Sequence, residues 1–177
     1  MKLSNIDYKE IPTLNEKEWK RFFLDEIFEI KGGKSITQKD MIEGNTPYIS
    51  ASSVNNALTS FIGNEGSADK CLITINANGS VGEAFYHPYE CIVSADVKRL
   101  HLLHHDDNEF VCLFLCNIIK AQKEKYSYGY KFGEARMKRQ IILLPVNETG
   151  EPDYEYMEQY IKNIQCNKVL DYLYYIK

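Results

Sequence analysis

The stretch Lys120 to Gln140, KAQKEKYSYGYKFGEARMKRQ, has the residue types and spacing to bind a polyanion. Lys120, Lys123, Lys125, Lys131, Arg136, Lys138 and Arg139 are opposed there only by Glu124 and Glu134. Tyr126, Tyr128, Tyr130 and Phe132 alternate through its middle, with Gly129 and Gly133 between them. Cations neutralise phosphates, and flat rings on a glycine-rich backbone can follow a groove or stack on a base. The same composition also suits a solvated basic loop whose tyrosines pack on the domain. The whole chain carries a net charge of −4. It is therefore no uniformly basic coat, and any nucleic-acid contact has to come from a patch.

Other constellations offer less chemistry. Gly33-Lys34-Ser35 imitates the end of a phosphate-binding loop, but Phe28 stands where that motif needs its first glycine, so no backbone cradle forms. Asn45-Thr46-Pro47-Tyr48 is close to the Asn-Pro-Pro-Tyr tetrapeptide of amino-methyltransferases, yet no glycine-rich cofactor loop follows a strand upstream. His104, His105, Asp106 and Asp107 with Cys112 and Cys116 have metal-ligand types. The cysteines fall on the apolar face of a helix, however, and the His-Asp run reads as a turn and cap, so no metal is expected. Asp153, Glu155 and Glu158 lack the lysine of a metal-dependent nuclease and suit the first turn of a helix, where carboxylates complement the dipole. No catalytic residues are assigned, and the chain reads as a non-enzyme.

The elements that would hold such a loop follow from pattern. At 177 residues, 44% apolar and 12% aromatic, the chain is long and oily enough for one packed domain. Five cysteines and no apolar leader point to reduced thiols in a cytoplasm. Residues 1–18 read as a polar arm, 19–150 as the globular domain and 151–177 as a C-terminal helix. Trp19 to Ile30 predicts a turn and a strand, Thr37 to Met41 a short helical turn, and Thr46 to Ser53 a strand entering a polar loop. Cys71 to Asn76 and Val81 to Tyr86 predict a hairpin closed tightly at Asn78-Gly79, and Cys91 to Leu100 one further strand. Asp106-x-x-Glu109 predicts a capping box opening a helix to about Gln122. Arg136 to Leu144 predicts a buried strand stopped by Pro145. The last helix, from Tyr154, carries the stripe Met157, Ile161, Ile164, then Val169, Tyr172 or Leu173 and Ile176, slipping phase near Gln165 to Lys168 like a broken coiled-coil seam. A helix folded back on its own domain fits as well. The fold class expected is α+β, with a mixed or antiparallel sheet and a terminal helix.

Five blocks taken in order, WKRFFLDEIFEIKGGKSIT, GNTPYISASSVNNAL, ITINANGSVGEAFYHP, KYSYGYKF and ILLPVNETGEPDYEYMEQYI, resemble one target-recognition domain of the specificity subunits of Type I restriction–modification enzymes. Specificity chains of Type IIB enzymes are similar. The resemblance implies a domain that reads one half of a bipartite duplex-DNA target and ends in a helix resembling a shortened coiled-coil spacer. It implies docking to methyltransferase subunits, with a restriction subunit possible, that carry S-adenosylmethionine and the chemistry. It also implies two domains joined by two helices in a whole subunit, so a chain with one domain and one helix is either a half-subunit pairing with its copy or a fragment. A pair of copies would read a symmetric, interrupted site.

Base readers are then sought among loop residues, amides for adenine and cations for guanine. The candidates are Ser52, Ser53, Asn55 and Asn56; Asn76, Asn78 and Ser80; and Tyr128, Tyr130 and Lys131. Lys31, Lys34, Lys125, Arg136 and Lys138 are candidate phosphate contacts. A second reading, an adaptor that docks restriction–modification subunits without reading DNA, is separated from the first by salt-dependent DNA retention. RNA binding ranks third, since no known RNA module pattern is present.

Overall fold

The computed structural model describes residues 8–64, 68–125 and 132–176. The described residues form two four-stranded sheets and a two-stranded ribbon, with helices packed on the first sheet and the ribbon. The ribbon pairs β1 (Trp19–Phe23) with β10 (Ile141–Pro145), so that Phe23 faces Ile141 and Trp19 faces Pro145. A single helical turn, α1 (Leu24–Ile27), then hands the chain to β2 (Phe28–Gly32). The first sheet has the order β2–β9–β6–β7, antiparallel throughout, with β6 at Leu72–Asn76, β7 at Ala84–His87 and β9 at Val97–Leu102. The second has the order β4–β3–β8–β5: β3 (Glu43–Ile49), β4 (Leu58–Ile62), β5 (Ala68–Asp69) and β8 (Cys91–Val93), with β3 and β8 parallel.

The helix α2 (Glu109–Lys120) buries Val111, Cys112, Leu115, Cys116 and Ile119 against the first sheet and the start of α4 (Tyr154–Tyr175). Of these, Val111, Leu115 and Ile119 each contribute about 1.5–3 kcal/mol of hydrophobic stabilisation. A second core, Ile49, Ala57, Leu72, Phe85, Cys91, Val93 and Val97, joins the two sheets. The thiols of Cys91 and Cys116 are pushed by burial up to about 12, and all five cysteines are free. Among the described residues no helix is long and apolar enough to cross a membrane.

Several sequence expectations shift. The Cys91 to Leu100 strand is two strands in two sheets, because the chain turns at 94–96, where the Ser94 N–H donates to Ile49 and the Val97 N–H to Ser94. The hairpin does not close in two residues: residues 77–83 form a wider loop with Gly79 and Gly82 at φ +53° and +82°. The cap of α2 is Asn108, whose Oδ1 accepts from the Phe110 and Val111 N–H groups. The capping box expected from Asp106 to Glu109 is therefore not the one used, and the intervening Asp107 is committed to Leu102 and His101. The segment before β10 is a short helix, α3 (Glu134–Lys138), rather than strand, since Met137 is what it has to bury.

The 22 residues of α4 span roughly 33 Å at about 1.5 Å per residue. Met157 and Ile161, expected on a partner-facing seam, are buried in the chain's own core, and Ile164 lies outside that face at 40% exposure. Burial along the helix stops at Cys166; Leu170, Tyr172, Tyr174, Tyr175 and Ile176 are exposed. The arm preceding β1 is no free linker where described. Asn163 brackets the Lys9 backbone through both amide atoms, the Tyr156 hydroxyl donates to the Pro12 carbonyl, and Lys17 pairs with Asp153 at 2.6 Å.

Candidate nucleic-acid interface

Strand direction gathers the polar loops. The C-terminal ends of β2, β3, β6 and β8 and the N-terminal ends of β4, β7 and β9 all point the same way. Residues 33–37, 50–57, 77–83 and 94–96 therefore leave the two sheets at one end. Hydrogen bonds tie them into a single surface. Lys34 N–H donates to Val93 at 2.8 Å, and Gly33 sits so close to Ser94 that a Cβ would fall 2.0 Å from its carbonyl oxygen. The N–H groups of Ala77 and Asn78 both donate to Asp96, at 2.8 and 3.2 Å. The Asn78 side chain donates to the Asp96 carboxylate at 2.5 Å.

Among the described residues, the loop after β3 has the most unusual backbone. Asn55, Asn56 and Ala57 have φ of 51°, 52° and 58°, three successive left-handed residues. L-residues pay roughly 1–2 kcal/mol each for that conformation, with Asn the most tolerant after Gly. Ala57 is nevertheless fully buried in the second core, while Ser53, Asn55 and Asn56 are exposed.

Of the sequence candidates, Lys34, Ser53, Asn55, Asn56 and Ser80 lie exposed on this end, with Ser52 and Asn78 half-buried beside them. Asn76 departs from expectation. It is fully buried and its Nδ2 donates to the Ser52 carbonyl at 2.8 Å, so it holds a loop rather than offering an edge to a ligand. Lys31 stands back on β2, paired with Glu29 at 2.7 Å. Tyr128, Tyr130 and Lys131 lie outside the described residues. Both described flanks of that stretch reach the same hairpin: Lys123 and Lys120 lie 3.0 and 3.9 Å from Glu83, and the Phe132 N–H donates to Ala77. Lys125 donates to Gln122. Arg136 and Lys138 ride on α3, which starts at this end and leads back toward α1, where Leu24 N–H meets the Gln140 carbonyl; Lys138 pairs with Glu134. Sequence reasoning missed Asp96, Lys98 and Glu83. The adjacent cations Lys98-Arg99 inside an apolar strand were the available signal for Lys98, whose side chain lies 4.0 Å from Glu134.

The opposite end of the sheets is closed by ions that satisfy one another. His101 is bracketed by Asp107 at 2.6 Å and Asp69 at 3.1 Å, and Asp69 also binds Arg99 at 2.9 Å. Burial opposes charge on His101, but hydrogen bonds to the two carboxylates and their charges outweigh it and raise its pKa. Burial likewise opposes charge on Asp69, yet His101 foremost, then the Lys70 N–H and Arg99, hold it below the usual carboxylate range. His87 is different: burial pushes it down to about 4, and as a neutral ring it shares a hydrogen bond with Thr74 at 2.9 Å. Among the described residues no three His, Cys, Asp or Glu side chains gather as a metal site.

The chain is thus an α+β domain that joins two small sheets through a shared core, exposes polar loops at one end and closes on a long helix. The chain belongs to the family described as the Type I restriction modification DNA specificity domain, whose model matches residues 16–171. It is 46% identical over 167 residues to the specificity subunit S.BcgI of the Type II restriction enzyme BgcI of Heyndrickxia coagulans, covering 94% of this chain and 49% of that protein. The chain thus spans about half the length of that relative. Its fold is also that of the Type I restriction–modification S subunit of M. genitalium, with TM-score 0.62 at 20% identity over 92% of this chain and 44% of that one. The HsdS subunit of Thermoanaerobacter tengcongensis is similar, with TM-score 0.60 at 15% identity over 90% and 40%.

Proposed function

We propose that this chain is the sequence-reading module of a restriction–modification system, non-catalytic itself, which recognises one half of a bipartite duplex target. In this reading residues 1–18 are an arm, 19–150 the recognition domain and 151–177 a docking helix. The observation that carries it is the gathering of Lys34, Ser53, Asn55, Asn56, Asn78 and Ser80 on one end of the sheets in a chain of the specificity family. Amide and hydroxyl groups at such a surface read base edges, and cations fix the register on phosphates. Partner methyltransferase subunits supply S-adenosylmethionine and the transfer, and a restriction subunit the cleavage, in the cytoplasm. The bare C-terminal part of α4, with Leu170, Tyr172 and Ile176 exposed, supports pairing with a second long helix. We assign that helix to a copy of the chain.

Methylome sequencing of a cell carrying the intact system tests both parts. A modified motif that vanishes when this chain is deleted is the expected result, and an interrupted palindrome is expected if copies pair. A methylation pattern unchanged by the deletion contradicts the reading. So does an assembly that retains DNA without salt dependence.

A further inference from the structure

Three anchors hold the loop between β3 and β4. Its neck is closed by the Ser50 N–H donating to the Ala57 carbonyl at 3.0 Å. The Ala57 methyl is sealed in the second core. The middle is held from below by Asn76, whose Nδ2 donates to the Ser52 carbonyl at 2.8 Å. The third anchor is the peculiar one. Asn76 is fully buried, and its Oδ1 has no donor among the described residues. A buried polar group normally has partners for all its atoms. The carbonyl of Ser52 fixes which way the amide points, since the flipped amide would set oxygen against oxygen. Among the described residues, the bond that the Asn76 side chain makes is therefore to the loop.

What lies between the anchors is under strain. Three successive left-handed residues are not a shape a free loop keeps, and Ala57, unlike the two asparagines, is not suited to it. The hairpin tip presses on the same loop: a Cβ on Gly79 would lie 3.2 Å from the Ala51 carbonyl oxygen. Held this way, Asn55 and Asn56 stay exposed in one fixed shape, and amides held before binding lose less freedom on contact than mobile ones.

We propose that Asn76 is a positioning residue for sequence reading: its buried amide clamps the Ser52 carbonyl and so keeps the left-handed Asn55–Ala57 turn presenting Asn55 and Asn56 to base edges. The proposal rests on the functional reading above. It makes Asn76 a determinant of specificity that never touches DNA.

The test is selection from a randomised duplex pool by the intact protein with its partner subunits, run in parallel for wild type, Asn76→Ala and Ala57→Gly. The glycine variant loosens the turn at a side chain that cannot reach DNA, and gains there by relief of the left-handed strain about what it loses in buried methyl. Wild type should return a defined motif. Asn76→Ala should return it with one block of adjacent positions flattened, each preference falling about tenfold, the other positions and the salt slope staying put. Ala57→Gly should flatten the same block at unchanged melting temperature. A full motif from both variants overturns the proposal while leaving the functional reading intact. Uniform weakening in Asn76→Ala with an unchanged motif in Ala57→Gly also overturns it, as loss of fold alone. A wild type that selects no motif sinks the functional reading, and this inference with it.

Discussion

The two ends of the sheet layers are built on opposite rules. At one end Arg99, Asp69, His101 and Asp107 form a chain in which every charge has a partner within 3.1 Å, half-shielded from water. At the other end a buried amide is half-satisfied, three residues sit left-handed, and Asn55, Asn56 and Lys34 face solvent. A closed network stabilises the fold; exposed, strained polar groups cost stability and gain something only when a ligand meets them. That contrast is why we propose the strained, exposed end as the recognition surface.

The largest effect that separates the ends is on recognition. Replacing Asn55 and Asn56 by Gly suits their φ and removes only side chains, so the melting temperature should hold or rise. Base preference should fall by about 1–3 kcal/mol for each base edge no longer read, measured by competition between cognate and altered duplexes. Next comes acid. His87 has its folded pKa depressed to about 4, so its neutral ring contributes fully above pH ~6.5 and less as pH falls toward 4. The ceiling is roughly 3 kcal/mol at about 1.4 kcal/mol per pH unit. Denaturant midpoints at pH 7 and 4.5 should therefore converge in a His87→Phe variant relative to wild type. His101 works in the opposite sense, its raised pKa giving stability that is lost as pH rises through it. Asp69→Ala, at the closed end, should lower stability by about 1–2 kcal/mol and leave the selected DNA motif alone. The smallest change is Lys34→Ala, which should weaken binding on all duplexes alike and reduce the salt slope by about one phosphate.

Much of this was legible in the residues. The alternation in CLITIN and the β-branched run after Cys91 marked real strands, and the apolar spacing of Val111, Phe114, Leu115 and Ile118 marked α2, although Ile119 rather than Ile118 is the buried one. What escaped were features set by partners distant in sequence. No local signal says that Ser94 to Asp96 carries the chain from one sheet to the other, because Ile49 supplies the partner. Asn76 has the look of a loop-tip reader because it stands two residues before Asn78-Gly79; only the Ser52 carbonyl makes it an anchor. Met157 and Ile161 have the spacing of a seam, but packing against α2 in the chain's own core buries that face first. Residue type told what could be read with; burial told which residues were free to read.

Hydrogen exchange on the assembled complex, with and without a duplex carrying the motif that methylome sequencing returns, tests the central claim most directly. Protection on DNA binding should appear at Lys34, across 50–57 and through 77–82, and be absent around Asp69 and His101. Protection confined to the Asp69–His101 end, or no protection in the three loops, would contradict the account.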